Sequence, residues 1–333
     1  MIDERSYIPK GFEDLQATEI EIKEEITQTL KQLFKRNGYM QVQTPIFEYY
    51  DLFTKIEGTI NKNQMIKLID SDGKVLVLRP DATIPIARMV ATNFRDSNKM
   101  YKFSYVTSIF RMRDENRRIP SREFTQAGVE WFGKGGPEED AEIIKLAIQS
   151  LLLLGVNHFK VDLGQAKFYK TLIDQIELDQ EEMISIQRLI ENKNVTELEA
   201  KILDLELEES YKKALLTIPL LYGKPENVLI SAKNICLNDE MFAEILRLEQ
   251  VFNILKDEGY EKYLSIDLGL INHLNYYTSI IFQAYVDGYG KPVIIGGRYD
   301  QLTNLFGYAS KAIGFGIYLD DLFESLNKKI REE

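Results

Sequence analysis

The segment from Lys102 to Phe132 constrains the fold more than any other part of the chain, because two strand-like stretches flank a charged excursion. The first stretch places large or β-branched side chains at a period of two, at Phe103, Tyr105, Thr107 and Ile109. A charged segment from Arg111 to Glu123 interrupts this alternation, which resumes from Phe124 to Phe132. Because a period of two is typical of β-strands, the segment predicts a β-hairpin with its polar excursion at the tip.

The second strand of this hairpin carries Gln126, Gly128 and Glu130 on one face. Polar side chains that flank a glycine suit a surface that a small polar ligand approaches closely. An edge strand that turns ordinary polar residues to solvent gives the same pattern. On this stretch alone, the solvated edge strand is the favoured interpretation.

Composition argues against several classes of site. The 333 residues carry a formal net charge of −11, which disfavours a protein whose main ligand is nucleic-acid phosphate. Cys236 is the only cysteine, and His158 and His273 are the only histidines. These counts argue against a disulfide framework, a cysteine or histidine metal centre and a Ser-His-Asp triad. We expect no metal or cofactor, and the sequence predicts a cytoplasmic protein without a signal peptide or membrane span.

The N-terminal region predicts a helix followed by an extended segment. Apolar residues recur at helical spacing, at Ile20, Ile26, Leu30, Leu33 and Phe34. Thr18 is the predicted N-cap, and Gly38 is the predicted end of the helix. The extended segment that follows is rich in aromatic residues, at Phe47, Tyr49, Tyr50 and Phe53. These side chains suit either the core or a partner surface, and the core is the default interpretation.

Residues 65–90 predict a second hairpin followed by a helix. Ser71, Asp72 and Gly73 form a turn signal between two apolar runs. Asp81 and Thr83 lie where the second run gives way to the helix. Helix capping is the favoured role for both residues, and a position facing a ligand over the end of the sheet is the alternative.

The rest of the chain predicts helices around a returning sheet. A helix is expected from Pro137 to Leu154, and residues 165–258 predict a mostly helical insertion. Strands return after residue 262, and small residues from Ala309 to Phe315 are expected to lead into a last helix, Tyr318 to Lys329. The glycine pairs near residues 296 and 314 match neither a P-loop nor a complete dinucleotide fingerprint.

In their order along the chain, these segments resemble histidyl-tRNA synthetase and its class II synthetase fold. Residues 38–49 resemble motif 1, which builds the dimer interface in that family, and residues 108–133 resemble motif 2. Residues 274–278 and 296–300 resemble the two histidine-specific motifs, and residues 312–322 stand where motif 3 belongs. The resemblance extends along nearly the whole chain.

The resemblance implies an α+β fold in which helices flank a mixed, mainly antiparallel sheet. Residues 1–164 and 259–333 would form the synthetase-like core of catalytic type, and residues 165–258 would be its mostly helical insertion. The C-terminal anticodon-binding domain of the family is expected to be absent.

Several departures from the family's pattern fall on residues that handle ATP. Arg113 replaces the acidic residue of motif 2, and Asp321 replaces the arginine that ends motif 3. Asn272, followed by His273, replaces the arginine of the first histidine-specific motif, whereas Arg111 of motif 2 is kept. Because each lost cation would have stabilised a phosphoryl-bearing transition state, we expect no adenylation and no catalytic activity.

By the same resemblance, eight residues are expected to form a histidine pocket: Asp81, Thr83, Arg111, Gln126, Glu130, Tyr276, Tyr277 and Tyr299. Asp81, Thr83 and Gln126 would hold the α-amino group of the ligand. Glu130 and Tyr277 would hold the imidazole. Asp81 is one methylene shorter than the glutamate of the family, so its contact with the ligand would be longer.

A synthetase-like chain with these features resembles the regulatory subunit of ATP phosphoribosyltransferase. The resemblance implies a non-catalytic partner for a short-form catalytic subunit in the first step of histidine biosynthesis. It also implies a homodimer within a hetero-oligomer, possible feedback by histidine, and no binding of tRNA or membrane. The alternatives are a true histidine–tRNA ligase and a stand-alone histidine sensor.

Overall fold

The computed structural model describes residues 7–54, 60–96, 98–112, 121–271 and 277–332. Four residues used in the predictions, Arg113, Asn272, His273 and Tyr276, lie outside these ranges. Among the described residues, none of the helices combines the length and apolar character that crossing a bilayer requires.

The described helices are α1 (Ala17–Arg36), α2 (Tyr50–Thr54), α3 (Thr83–Asn93), α4 (Pro137–Leu153), α5 (Ala166–Ile173), α6 (Gln180–Glu191), α7 (Val195–Leu203), α8 (Glu209–Thr217), α9 (Pro225–Lys233), α10 (Asp239–Asp257) and α11 (Leu319–Glu332). The described strands are β1 (Met40–Gln41), β2 (Phe47–Tyr49), β3 (Lys67–Ile69), β4 (Val75–Leu78), β5 (Tyr101–Phe110), β6 (Glu123–Phe132), β7 (Phe159–Gln165), β8 (Tyr222–Gly223), β9 (Leu264–Asp267), β10 (Ile280–Val286), β11 (Pro292–Arg298) and β12 (Ala312–Tyr318).

Nine strands form the main sheet, in the order β1-β5-β6-β12-β11-β10-β7-β9-β8. The β1–β5 and β7–β9 pairs are parallel, and the other neighbouring pairs are antiparallel. A small antiparallel sheet has the order β2-β4-β3. The predicted α+β fold with a mixed, mainly antiparallel sheet is therefore confirmed, as are both predicted hairpins.

Alternate residues of the central strand β6 serve two different layers of the core. Ala127, Val129 and Trp131 join a large apolar cluster that includes residues of α1, α4 and α10. Phe132 joins a smaller cluster with α3 on the opposite face. Because side chains alternate along a strand, Gln126, Gly128 and Glu130 also turn toward this second face.

The interpretation of β6 as a solvated edge strand, which the hairpin pattern alone favoured, is wrong. β6 lies between β5 and β12 and pairs with both strands along its length. Gln126 and Glu130 are buried, Glu130 with only 1% of its surface exposed. The second partner of β6 comes from the far end of the chain, and the pattern of β6 itself carries no sign of it.

Helix α1 packs on the larger core through Ile26, Leu30 and Phe34, as its spacing predicts. The predicted N-cap at Thr18 is wrong, because the helix already begins at Ala17. The N-cap is Gln16, and Glu19 completes a capping box, because its Oε2 accepts the N–H of Gln16 at 3.0 Å. Gly38 has a φ of 82°, which is the left-handed conformation that ends a helix.

The predicted last helix, Tyr318 to Lys329, is confirmed as α11, but the strand that precedes it was not predicted. Residues from Ala312 to Tyr318 form β12, and helix α11 begins only at Leu319. Ile313, Phe315 and Ile317 alternate on the face that joins the larger core. Gly314 and Gly316 occupy the other face, where glycine hides the strand pattern because it adds no side chain.

The aromatic segment after Pro45 divides between core and surface. Phe53 is buried with 1% exposure, as the default interpretation predicted. Phe47 and Tyr49 are 51% and 54% exposed, so for these two residues that interpretation is wrong. Both belong to β2, where they alternate with the buried Glu48 and lie together on the exposed face of the strand.

Candidate functional site

A small polar pocket opens on the second face of the main sheet, where α3 begins beside β5, β6, β11 and β12. Its free volume is about 30 Å³. Thirteen residues line it: Asp81, Thr83, Tyr105, Arg111, Gln126, Glu130, Tyr277, Ile295, Tyr299, Gly314, Phe315, Gly316 and Tyr318. Seven of the eight predicted site residues are among them. The eighth, Tyr276, lies outside the described residues.

Strand register brings the pocket face of β6 beside the two glycines of β12. Glu130 pairs with Gly314, and Gly128 pairs with Gly316. A Cβ added at Gly314 would lie 1.9 Å from Glu130 Oε2, and one at Gly316 would lie 2.3 Å from Gln126 Nε2. Only glycine therefore leaves room for these two polar side chains at the sheet surface.

Glu130 is the central acidic group of the pocket. Thr83 Oγ1 donates to its Oε1 at 2.6 Å, and the Tyr299 hydroxyl donates to its Oε2. Burial raises the pKa of Glu130 to about 8, although the hydrogen bonds from Thr83 and Tyr299 stabilise the carboxylate and oppose this rise. Near neutral pH the pocket therefore holds a carboxyl group that gains or loses its proton readily.

The start of α3 supplies a second buried acid. Asp81 Oδ1 accepts the Ile84 N–H at 2.8 Å, so the predicted capping role of Asp81 is confirmed. Thr83 departs from that prediction, because its hydroxyl is bonded to Glu130. Burial raises the pKa of Asp81, whereas the Ile84 hydrogen bond and the Arg111 charge act in the opposite direction.

Arg111 and Gln126 bring nitrogen donors to the pocket. Arg111 Nε donates to the Pro80 carbonyl at 2.8 Å, and its guanidinium lies 5.6 Å from the centre of the Phe124 ring. The Tyr105 hydroxyl is 3.5 Å from Gln126 Oε1. Burial, and then the charge of Glu130, raise the pKa of Tyr105, which keeps its hydroxyl protonated as a donor.

Sequence reasoning missed Tyr105, Tyr318 and the two glycines of β12. Tyr105 lies opposite Gly128 in the β5–β6 register, so the hairpin pattern already placed it on the pocket face. Tyr318 lies opposite Gln126, but the strand that carries it was not predicted. Asp321 is not among the lining residues, and its Oδ1 accepts the Tyr289 hydroxyl at 2.5 Å.

The pocket is chemically suited to a small ligand that carries N–H groups or a positive charge. Two buried carboxyl groups and one amide oxygen offer acceptors, and Arg111 offers a cation to any acidic group of the ligand. Tyrosine rings add apolar walls that fix the orientation of such a ligand. The role of each residue toward histidine stays a prediction.

Comparison with known proteins gives a consistent result. The family model described as histidyl-tRNA synthetase matches residues 11–322. The chain is 39% identical over 300 residues to the ATP phosphoribosyltransferase regulatory subunit of Oceanobacillus iheyensis, which covers 90% of this chain and 73% of that protein. It is 37% identical to the protein of the same name from Alkaliphilus metalliredigens, over 98% of this chain and 82% of that protein.

A solved structure shows the same likeness. It is described as an ATP phosphoribosyltransferase regulatory subunit/histidyl-tRNA synthetase from Bacillus halodurans C, and it superposes with a TM-score of 0.87 at 29% identity. The match covers 96% of this chain and 83% of that chain. The class II synthetase-like fold is thereby confirmed.

Proposed function

The chain belongs to the histidyl-tRNA synthetase family, among its ATP phosphoribosyltransferase regulatory subunits, and from this premise we propose how it carries out that role. Its role is regulatory and lies in histidine biosynthesis. We propose that it has no catalytic activity of its own and that its partner is a short-form catalytic subunit. The observation that carries this proposal is the 39% identity to a named regulatory subunit over 90% of the chain.

The residues at the motif 3 position support the absence of catalysis. Asp321 brings a negative charge to a place where the family keeps an arginine, and Tyr289 and Glu324 lie beside it. Triphosphate would be repelled by these carboxylates. Loss of one preorganised cation typically costs about 3–4 kcal/mol of transition-state stabilisation, enough to lower a rate by two to three orders of magnitude.

Free histidine is the ligand that we propose for the pocket. Its ammonium group would meet Asp81, Thr83 and Gln126, and its imidazole N–H would replace the Tyr299 hydroxyl at Glu130. The Tyr299 hydroxyl already occupies the Glu130 oxygen that the imidazole would take, and the free volume is only about 30 Å³, so histidine requires side chains of the pocket to move. Binding coupled to opening gives histidine the differential affinity for two states that feedback requires.

We also propose that the chain forms a homodimer through the small sheet. In the register of that sheet, one face carries five apolar or aromatic side chains: Phe47, Tyr49, Leu68, Leu76 and Leu78. All five are at least partly exposed. Such a face is typical of protein–protein contacts, and a second copy of the chain is the partner we propose, because twofold pairing is the commonest closed symmetry.

The division into a core and an insertion is part of the same proposal. Helices α5–α10 connect β7 to β9, which are parallel neighbours in the main sheet. Residues 165–258 therefore form the connection between two neighbouring strands of a core that consists of residues 1–164 and 259–333. The α5–α10 segment contributes only the two-residue strand β8 to the sheet.

The function is tested by purifying the chain with a short-form catalytic subunit. We expect a stable complex whose ATP phosphoribosyltransferase activity exceeds that of the catalytic subunit alone and falls when histidine is added. Above about pH 8, where Glu130 is ionised, Glu130→Gln should weaken histidine binding by about 1–3 kcal/mol, because it replaces a charge-assisted hydrogen bond with a neutral one. Glu123→Gln, at an exposed position of the same strand, is the control.

Two results would contradict parts of this proposal separately. If the catalytic subunit is equally active without this chain, the role in activation is wrong. If calorimetry detects no binding of histidine at millimolar concentration to the chain or to the complex, the ligand assignment is wrong while the role in activation can still hold.

A further inference from the structure

A buried ion network joins helix α10 to the strand end that carries Tyr299. Asp140, in the first turn of α4, is fully buried and receives one arginine on each carboxylate oxygen. Its Oδ1 accepts Arg298 Nε at 2.8 Å, and its Oδ2 accepts Arg247 Nη2 at 2.6 Å. Arg298 ends β11 directly before Tyr299, whereas Arg247 belongs to α10. Asp140 therefore ties the helical segment to the wall of the pocket.

Arg298 also fixes the backbone beside two pocket tyrosines, Tyr277 and Tyr299. Its Nη1 donates to Asp300 Oδ1 at 3.0 Å, and its carbonyl accepts the Thr278 N–H at 2.7 Å. The Asp300 N–H donates in turn to Thr278 Oγ1 at 3.0 Å. Thr278 directly follows Tyr277, so these bonds hold the two pocket tyrosines in one relative position.

A second link runs from the same part of α10 to the start of β10. Glu244 precedes Arg247 by about one helical turn. Its Oε2 accepts the Ser279 hydroxyl at 3.2 Å, and its Oε1 lies 3.2 Å from Lys167 Nζ. One turn of α10 thus contacts Ser279, which lies two residues after Tyr277, and through Asp140 it reaches Arg298, which directly precedes Tyr299.

We propose that Arg247 and Arg298 are positioning residues that couple helix α10 to the pocket. Through Asp140 they set the placement of Tyr299, so a displacement of α10 changes how tightly the pocket holds its ligand. Buried ionic groups resist rearrangement, because any group left without its partner loses both solvation and charge compensation. The identity of the ligand rests on the proposed function, whereas the coupling itself rests only on these contacts.

Arg247 is the side chain to change, since Arg298 is almost completely buried and its removal would leave Asp300 without its cation and Asp140 with Arg247 alone. In Arg247→Met the apolar stem remains and Asp140 keeps its bond to Arg298. The matched control is Lys233→Met. Lys233 ends α9, and its 2.7 Å ion pair contacts α10 at Glu249, which lies outside the network.

Two measurements on the full chain test the coupling. Hydrogen exchange should become at least about threefold faster at the amides of Thr278 and Tyr299 in Arg247→Met, because local opening becomes easier there. The Kd for histidine should rise by about 2- to 30-fold, the range typical of changes in energetic coupling. Neither quantity should change in Lys233→Met.

The outcomes separate this inference from the proposed function. If the wild-type chain binds no histidine, the ligand assignment fails, and the exchange measurement alone decides the coupling. Faster exchange in Arg247→Met but not in Lys233→Met supports it. Equal exchange rates at Thr278 and Tyr299 in both variants and the wild type overturn it, whatever the affinity for histidine.

Discussion

Replacing Glu130 with glutamine should change how the stability of the protein depends on pH. Burial raises the pKa of Glu130 from 4.5 to about 8, so the folded state binds this proton more tightly than the unfolded chain does. The stabilisation is fully present below the unfolded pKa and is lost as pH rises through the folded pKa. Glu130→Gln removes this dependence, since glutamine does not titrate in that range.

The size of the effect follows from the two pKa values. Each pKa unit corresponds to about 1.36 kcal/mol, and linkage gives a loss of about 3 kcal/mol for the wild type between about pH 5 and about pH 8. An unfolding entropy of about 2.1 cal/mol/K per residue sums to about 0.7 kcal/mol/K for this chain length. The loss therefore corresponds to a fall in Tm of about 4 °C relative to the variant.

Calorimetric melting of the wild type, Glu130→Gln and Glu123→Gln at both pH values measures this effect. We expect the Tm of the wild type minus the Tm of Glu130→Gln to fall by about 4 °C from the lower to the higher pH. Asp81 is present in every variant, and its charge is one of the causes that raise the pKa of Glu130, so the expected difference already includes this coupling. The reasoning is refuted if the Tm difference is the same at both pH values, or if Glu123→Gln shows the same change.

Three further predictions concern the pocket, the assembly and catalysis. Gly314→Ala should destabilise the fold by about 1–3 kcal/mol in thermal melting, because the new methyl overlaps Glu130, whereas Gly290→Ala should be nearly neutral because nothing lies within 4 Å of its added Cβ. Tyr49→Lys should convert the expected dimer into a monomer in light scattering at micromolar concentration, whereas Ile230→Lys, at an exposed position of α9, should not; a wild-type monomer would contradict the dimer. The purified chain should show no histidine-dependent pyrophosphate exchange and no charging of tRNA, and exchange above the no-enzyme blank would restore the ligase alternative.

Local patterns predicted those elements whose signals lie within the element itself. The β5–β6 hairpin follows from its period of two, and the β3–β4 hairpin follows from its turn, where Gly73 has a φ of 77°. The burial of Glu130 could not be predicted in the same way. It depends on β12, which lies about 180 residues further along the chain, in the range from Ala312 to Tyr318.

The pocket itself was predicted from family motifs, and the local physics of each residue left its role undecided. Asp81 has the sequence context of a cap and acts as one, yet its carboxyl group also lines the pocket. Gly314 and Gly316 suggested an incomplete dinucleotide fingerprint or a small-residue stretch before the last helix. Their role is to leave room for Glu130 and Gln126 on the neighbouring strand, and a pattern within one segment does not contain those side chains.

The position of β12 bears on synthesis of the protein by the ribosome. This strand fills the gap between β6 and β11, and it is translated about 180 residues after β6. Until it emerges, β6 and β11 each present an unpaired edge, which nascent chains are prone to join with one another. Translation that stops before Ala312 should therefore yield aggregates that no partner subunit rescues, whereas a chain that extends past Tyr318 has β12 to pair with both edges.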